Sequence, residues 1–541
     1  MSCGNPVADA NALMQRRKKY DKTNSCVKCK VTQGNLVIRH AVYCKDCFLH
    51  LVVHKFRRAL EPTVNPKPDG PRRTALKPAG NLLVGFSGGL GSSVLLDLVH
   101  RCYVALDKST MPSDGGRDHP RHERVWKKVT ICYVEVCDAF PGMRDRTEEI
   151  TQHVKRYDDL EFVPLRIQDA FDRSWWEKIG GKSFPSEIGA SLADEALFLQ
   201  SLPSTSADPL TSLRAYLSSL PTPTAVTASI QTLTRLLLLH TALQTGSSHL
   251  VLGTSLTSLA VSLISGVAQG AGFNIREETQ EEWTPEPETL MGLDHAPDAS
   301  EGSKTGKKGK RTVRVVRPLR DVGMKECAAW AWWSGVPVVG KEKWVWAGAK
   351  PGIATLTKGT VLSRIIEAAH ILKRYPDFIV GLEKDYPSTV STIVRTCSKL
   401  APKGEVSGKC ILCGRPAQRG VQEWKARISI RDRPPAPGST EDATAKTADA
   451  EPLQPSLTPY LCYSCHTTLT SKSARPLPSP WPASAQAPLV SLPVWTEARL
   501  SSAIRDVDGA EHVHAEIMQT RQVGQDEMKG IVDEFLLDDQ E

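Results

Sequence analysis

Apolar residues fall mostly into short runs separated by stretches with helical periodicity. Leu82, Leu83 and Val84 predict a short buried strand, and Val129–Val136 and Glu161–Ile167 predict two more. Arg144–Tyr157 predicts a polar helix between the last two. Helices are expected at Leu192–Leu202, Leu210–Leu220 and Ala225–Leu243, then a buried strand at His249–Gly253 and a helix at Thr257–Gln269. Val313–Leu319 resumes the sheet, and Leu356–Leu372 reads as an amphipathic helix. Apolar strands alternating with helices point to an α/β fold with a doubly wound parallel sheet. The stretch Leu236–Ile275 lacks Asp, Glu, Lys and Arg, but His240, Gln244, His249, Gln269 and many hydroxyls interrupt it. It reads as helix–strand–helix, not a membrane span.

Composition changes this picture at the ends of the chain. Eight of the fourteen cysteines form four Cys-x-x-Cys pairs, which favours metal in a reducing compartment over disulfides. Cys26/Cys29 and Cys44/Cys47 stand fourteen residues apart around a ribbon-like Leu36–Tyr43, a spacing that suits tetrahedral zinc. Cys410/Cys413 and Cys462/Cys465 are 48 residues apart, and a low-complexity loop at Pro434–Pro459 can be looped out between them. Whether the eight cysteines hold two ions or one stays open. The polar, basic start lacks an apolar signal core, so a cytoplasmic protein is expected. A formal charge of +8 suits an RNA partner without requiring one.

The expected organisation has five parts. Residues 1–60 form a zinc ribbon and basic helix, 61–80 a linker, and 81–400 an α/β domain with a disordered insertion at 276–311. Residues 401–475 form a second cysteine module, and 476–541 a tail. In that tail Met528, Ile531, Val532, Phe535 and Leu536 make an apolar stripe, for docking on the chain's own domain or on a partner. Lys55, Arg57 and Arg58 end the basic helix, as phosphate contacts or as solvated surface. Trp330, Trp332 and Trp333 read as packing residues more than as base-stacking ones.

The stretch with most chemistry is Ser87-Gly88-Gly89-Leu90-Gly91-Ser92-Ser93, a glycine turn between a strand and a helix that Ser92 and Ser93 would cap. Backbone N–H groups and the helix dipole make such a turn an anion site, although a plain strand–helix turn binds nothing. No lysine follows Gly91, so the Gly-x4-Gly-Lys loop is excluded, and Val94 stands where the third glycine of a dinucleotide fingerprint belongs. Ser-Gly-Gly-x-x-Ser resembles the pyrophosphate loop of adenylating ATPases.

Taken with the flanking cysteine modules, His54–Arg57, Gly253–Ala260 and Arg317–Leu319, this order of motifs resembles the cytoplasmic tRNA 2-thiolation proteins. The resemblance implies a pyrophosphate-loop ATPase fold and a role in 2-thiolation of the wobble uridine (mcm5s2U34) of tRNA for lysine, glutamate and glutamine. It also implies a heterodimer with a catalytic subunit, and sulfur delivered by a thiocarboxylated ubiquitin-related modifier. Three departures liken the chain to the degenerate second member of that system. Gly91 replaces the loop aspartate. Gly253-Thr-Ser-Leu-Thr-Ser258 replaces Gly-His-Asn-Ala-Asp-Asp. Cys102, Cys132, Cys137, Cys327 and Cys397 lack the internal Cys-x-x-Cys spacing. Ser87, Gly88, Gly89, Ser92 and Ser93 are therefore expected as a vestigial nucleotide cradle, with ATP binding in doubt and no catalytic residue. A self-sufficient sulfurtransferase and a zinc-ribbon adaptor for RNA or protein remain as alternatives.

Overall fold

A computed structural model describes residues 25–64, 79–105, 125–140, 142–182, 187–192, 197–202, 208–285, 311–340, 383, 386–400, 406–418, 420–421, 425, 456–471 and 489–508. The chain enters through a hairpin, β1 (Leu36–Ile38) and β2 (Ala41–Tyr43), followed by helix α1 (Lys45–Val64). Phe48, Val52, Phe56 and Leu60 recur every fourth residue on α1, and all four are buried.

The body is a six-stranded sheet. β3 (Asn81–Phe86) leads into α2 (Leu90–Val99), and β4 (Val129–Glu135) and α3 (Thr147–Val154) follow. β5 (Glu161–Arg166) precedes the short α4 (Arg173–Lys178). A separate small sheet holds β6 (Glu187–Ala190) and β7 (Leu199–Leu202). α5 (Pro209–Ser219) and the long α6 (Pro223–Gln244) then lead to β8 (Ser247–Leu252) and α7 (Leu256–Ala268). β9 (Glu281–Trp283), β10 (Val313–Val316) and α8 (Met324–Ser334) complete the body. The strand order is β5-β4-β3-β8-β10-β9, with every pair parallel except β9 on β10.

Alternation along the strands assigns each face to its own core. Leu82, Val84, Ile131 and Val251 pack in the core that contains α1, α2 and α8, whereas Leu83, Cys132 and Leu250 pack in the core beneath α5 and α6. Both faces are covered, as a parallel sheet requires. α6 alone buries Leu233, Leu236, Leu237 and Leu239, each worth on the order of 2 kcal/mol. From β3 the chain runs outward to β4 and β5 and returns on the other side at β8, so the order reverses beside β3. Ligands of open α/β sheets bind at the carboxyl ends of strands flanking such a reversal.

Three expectations change. Residues 199–202 are strand, not helix, because Leu197 adopts φ of 50° and the segment pairs antiparallel with β6. Within the acidic stretch taken for a disordered insertion, Glu281–Trp283 is an edge strand; Arg235 neutralises Glu281, and Trp283 is buried. Within the expected tail, the short strand Val490–Ser491 adds to β6, and the helix Trp495–Asp508 buries Trp495, Ala498 and Leu500. The stretches Leu356–Leu372 and Met528–Leu536 lie outside the described residues. Among the described residues no helix is long and apolar enough to cross a membrane.

Candidate functional site

The glycine turn and the loop after β8 meet at the sheet's reversal point, and the chain itself fills the space between them. Gly88 has φ of 70°, and a Cβ there would lie 2.7 Å from Ile150 Cδ1, so glycine is required. A Cβ at Gly91 would overlap the Gly253 carbonyl oxygen, and one at Gly253 would lie 2.5 Å from the Ser92 nitrogen. The side-chain position of Gly91 is thus closed by backbone.

The α2 N-cap is Gly89, and Ser92 and Ser93 sit in the first turn instead of capping it. Ser92 donates its hydroxyl to the Gly89 carbonyl at 2.8 Å and lies 3.3 Å from the Ser87 hydroxyl. Ser93 Oγ is buried without a hydrogen-bond partner, and Ser87 is exposed.

A strap from the end of the sheet domain crosses the turn. The Gly340 N–H donates to the Gly88 carbonyl at 2.9 Å. Arg146 holds the strap with two bonds, Nη1 to the Gly340 carbonyl at 3.0 Å and Nη2 to the Val339 carbonyl at 3.1 Å. Arg146 is fixed in turn through its own N–H, which donates to Glu135 Oε2 at 2.8 Å. Glu135 is 2% exposed at the carboxyl end of β4 and also accepts from the Tyr133 hydroxyl and the Val136 and Cys137 amides. The series Glu135–Arg146–Gly340–Gly88 ties the turn down with groups the sequence did not single out. The apolar Val336-Pro-Val-Val-Gly340, bounded by two glycines, was the available signal.

The segment 253–258 is given over to helix capping. Ser255 caps α7, accepting from the Ser258 N–H, and donates its hydroxyl to the Ser258 hydroxyl at 3.0 Å. Thr257 donates to Glu383 Oε2 at 2.7 Å and accepts from the Met324 N–H at 3.0 Å. Burial raises the Glu383 pKa above the ordinary carboxylate value, and nearby Glu326 pushes the same way.

Two tetracysteine clusters form. Cys26, Cys29, Cys44 and Cys47 bring their sulfurs within 4.8 Å of one another, as do Cys410, Cys413, Cys462 and Cys465. The Cys29–Cys44 and Cys413–Cys462 sulfurs are 3.9 and 3.8 Å apart. A tetrahedral ion with metal–sulfur bonds of ~2.3 Å spaces its ligands by about 3.8 Å, so both sets suit one metal ion each. The Thr32 hydroxyl, 3.0 Å from Cys29 Sγ, holds that thiol down to about 6. The first cluster lies at the ribbon surface; the second is buried at all four positions. Cys132 and Cys137 are buried, and burial pushes both thiols up to about 12, as for packed hydrophobes.

Of the three basic residues expected to meet phosphate, the structure engages two internally. Lys55 Nζ lies 2.5 Å from Glu326 Oε1, an ion pair joining α1 to α8. Arg57 is part-buried, 4.0 Å from Glu61. Arg58 alone is exposed. Trp330 is buried with its N–H on Asp97, and Trp333 meets Phe48 edge-on at 5.2 Å, whereas Trp332 is 84% exposed.

Fold and site together define a doubly wound α/β protein with a closed glycine turn at the sheet's reversal point and, among the described residues, a tetracysteine site toward each end. The family model described as cytoplasmic tRNA 2-thiolation protein 2 matches residues 374–467, the stretch that contains all four cysteines of the second cluster. Proteins of that name in Danio rerio and Homo sapiens are 24% and 25% identical over 526 residues, covering 86% and 88% of this chain and 92% of each relative. One in Phaeosphaeria nodorum is 25% identical over 460 residues, covering 81% of this chain and 93% of the relative. The chain is thus similar to cytoplasmic tRNA 2-thiolation protein 2 of these organisms over most of its length. Among solved structures, the U34-tRNA thiolase of Methanococcus maripaludis with its 4Fe–4S cluster is similar with a TM-score of 0.41 and 16% identity, over 76% of this chain and 98% of that one.

Proposed function

We propose that this chain acts in 2-thiolation of the wobble uridine of cytoplasmic tRNA for lysine, glutamate and glutamine, as the non-catalytic partner of an active thiolation subunit. The observation that carries the non-catalytic role is the backbone contact of Gly91 with Gly253. It leaves no room for a carboxylate at the position from which active relatives are expected to organise ATP and Mg²⁺. The strap on Gly88 and the self-capped 253–258 segment support the same reading. Ser87, Gly88, Gly89, Ser92 and Ser93 then form an inherited turn that shapes the fold without handling ATP.

Zinc is the metal we assign to both clusters. Sulfur spacings near 3.8 Å fit one shared ion, whereas a four-iron cluster places a separate iron under each thiolate and spreads the sulfurs further. Zinc supplies cross-linking here, because four thiolates leave no open position for chemistry. In the assembly this chain extends the tRNA surface, with Arg58 facing phosphate and Lys55 and Arg57 bracing the helix behind it. The sulfur donor in this reading is a thiocarboxylated ubiquitin-related modifier acting on the partner, in the cytoplasm.

Co-purification of the tagged chain, combined with nucleoside mass analysis of tRNA from cells lacking it, tests the proposal. The expected result is an active thiolation subunit in the eluate and loss of 2-thiolated wobble uridine in the mutant cells. Unchanged 2-thiolation would overturn it.

A further inference from the structure

The buried cysteine cluster has a charged neighbour that the thiolation role does not use. Arg235, Arg317 and Arg415 gather with Glu278 and Glu281 behind the knuckle Cys410–Cys413. Arg415 Nη1 lies 2.6 Å from Glu278 and Nη2 3.6 Å from Glu281; Arg317 Nη2 lies 3.5 Å from Glu278; Arg235 pairs with Glu281. Three guanidiniums against two carboxylates leave one positive charge in excess. Buried Arg317 Nη1 and Arg415 Nε lack hydrogen-bond partners, which is how a surplus of donors shows itself. An excess buried charge is costly unless something nearby answers it.

What lies nearby is the knuckle. Arg235 Nη1 donates to the Cys413 carbonyl at 2.8 Å, Trp495 Nε1 to the Leu412 carbonyl at 3.2 Å, and Arg499 Nη1 to the Ile411 carbonyl at 3.1 Å. Three successive carbonyls are thus held by side chains of α6 and of the helix Trp495–Asp508. A divalent ion on four thiolates carries two net negative charges, and Cys410, Cys413, Cys462 and Cys465 are each no more than 8% exposed. Solvent cannot neutralise that centre.

We infer that Arg235, Arg317 and Arg415 are positioning residues for the second metal centre, a buried counter-charge that retains its dianionic metal–tetrathiolate and ties it into the α/β body. The inference rests on the reading that this cluster holds zinc. Glu278 and Glu281 tune the network by keeping it one charge, not three, above neutral.

The test uses the full-length protein, first counting bound zinc by native mass spectrometry. A zinc-free Cys410–Cys465 cluster would overturn the metal reading itself. Site-resolved alkylation of the cysteines under a zinc chelator at fixed pH then tests the counter-charge. Arg415→Met is expected to speed alkylation of Cys410, Cys413, Cys462 and Cys465 at least tenfold and leave Cys26, Cys29, Cys44 and Cys47 unchanged. Adding Glu278→Gln, which restores the net charge, is expected to recover most of the protection, a result that mere packing damage would not give. Should Arg415→Met fail to fold, Arg317→Met with and without Glu278→Gln makes the same comparison. Zinc present, with wild-type protection in the arginine variant or no recovery in the double variant, would overturn the inference.

Discussion

The backbones of Gly91 and Gly253 lie so close that neither residue has room for a Cβ. Gly91→Asp, the change that would recreate a loop carboxylate, therefore has to displace a carbonyl group. Overpacking of this kind costs about 1–3 kcal/mol. The variant is expected to melt a few degrees lower than the parent and to gain no tRNA-dependent ATP turnover. A stable Gly91→Asp protein that hydrolyses ATP would contradict the closed cradle.

Arg146 reaches across to the strap at Val339 and Gly340 with two charge-assisted bonds. Such bonds are worth about 1.5–3 kcal/mol each, and losing both should free the strap without unfolding the sheet. Arg146→Ala is expected to raise amide hydrogen exchange at residues 336–340 at least tenfold, with β3 and β4 unchanged. Equal exchange in the two proteins would show that the strap is held by something else.

His240 is buried among Trp176, Trp283 and Trp495, and neither ring nitrogen has a hydrogen-bond partner. Burial drives its pKa well below 6.5, and Arg499 and Arg235 push in the same direction. The folded protein keeps this ring neutral while the unfolded chain protonates near pH 6.5, so stability is full above that pH and falls below it. The loss is at most about 1.4 kcal/mol per pH unit for one such group. His153 and His249 are shifted downward too, so the wild type has several such contributions. His240→Phe is expected to lose less urea resistance than wild type between pH 7 and 5.5. Parallel losses would refute a neutral buried His240.

The central strands were legible in the sequence because both of their faces are apolar and glycine punctuates their ends. Val129–Glu135 is buried at every position, which leaves little to misread. The cysteine pairs were legible because four thiols that converge on one point come as close-spaced pairs along the chain. Charge obscured the edges. Glu281 belongs to a strand only because Arg235 and Arg415, 46 residues before and 134 after it, neutralise it, and no local pattern carries that information. The ion pair of Lys55 leaves no local trace either, because its partner Glu326 is 271 residues away. The strap went unnoticed for a similar reason: its role depends on where the Gly88 carbonyl lies.

Complementation tests the central claim most directly. Cells lacking this chain receive either the wild-type sequence or Ser87→Ala with Ser92→Ala, and wobble-uridine 2-thiolation is measured by nucleoside mass analysis. A cradle that only shapes the fold predicts that both restore thiolated tRNA to the same level. Rescue by wild type and failure of a folded, partner-bound double variant would mean that this loop takes part in the chemistry.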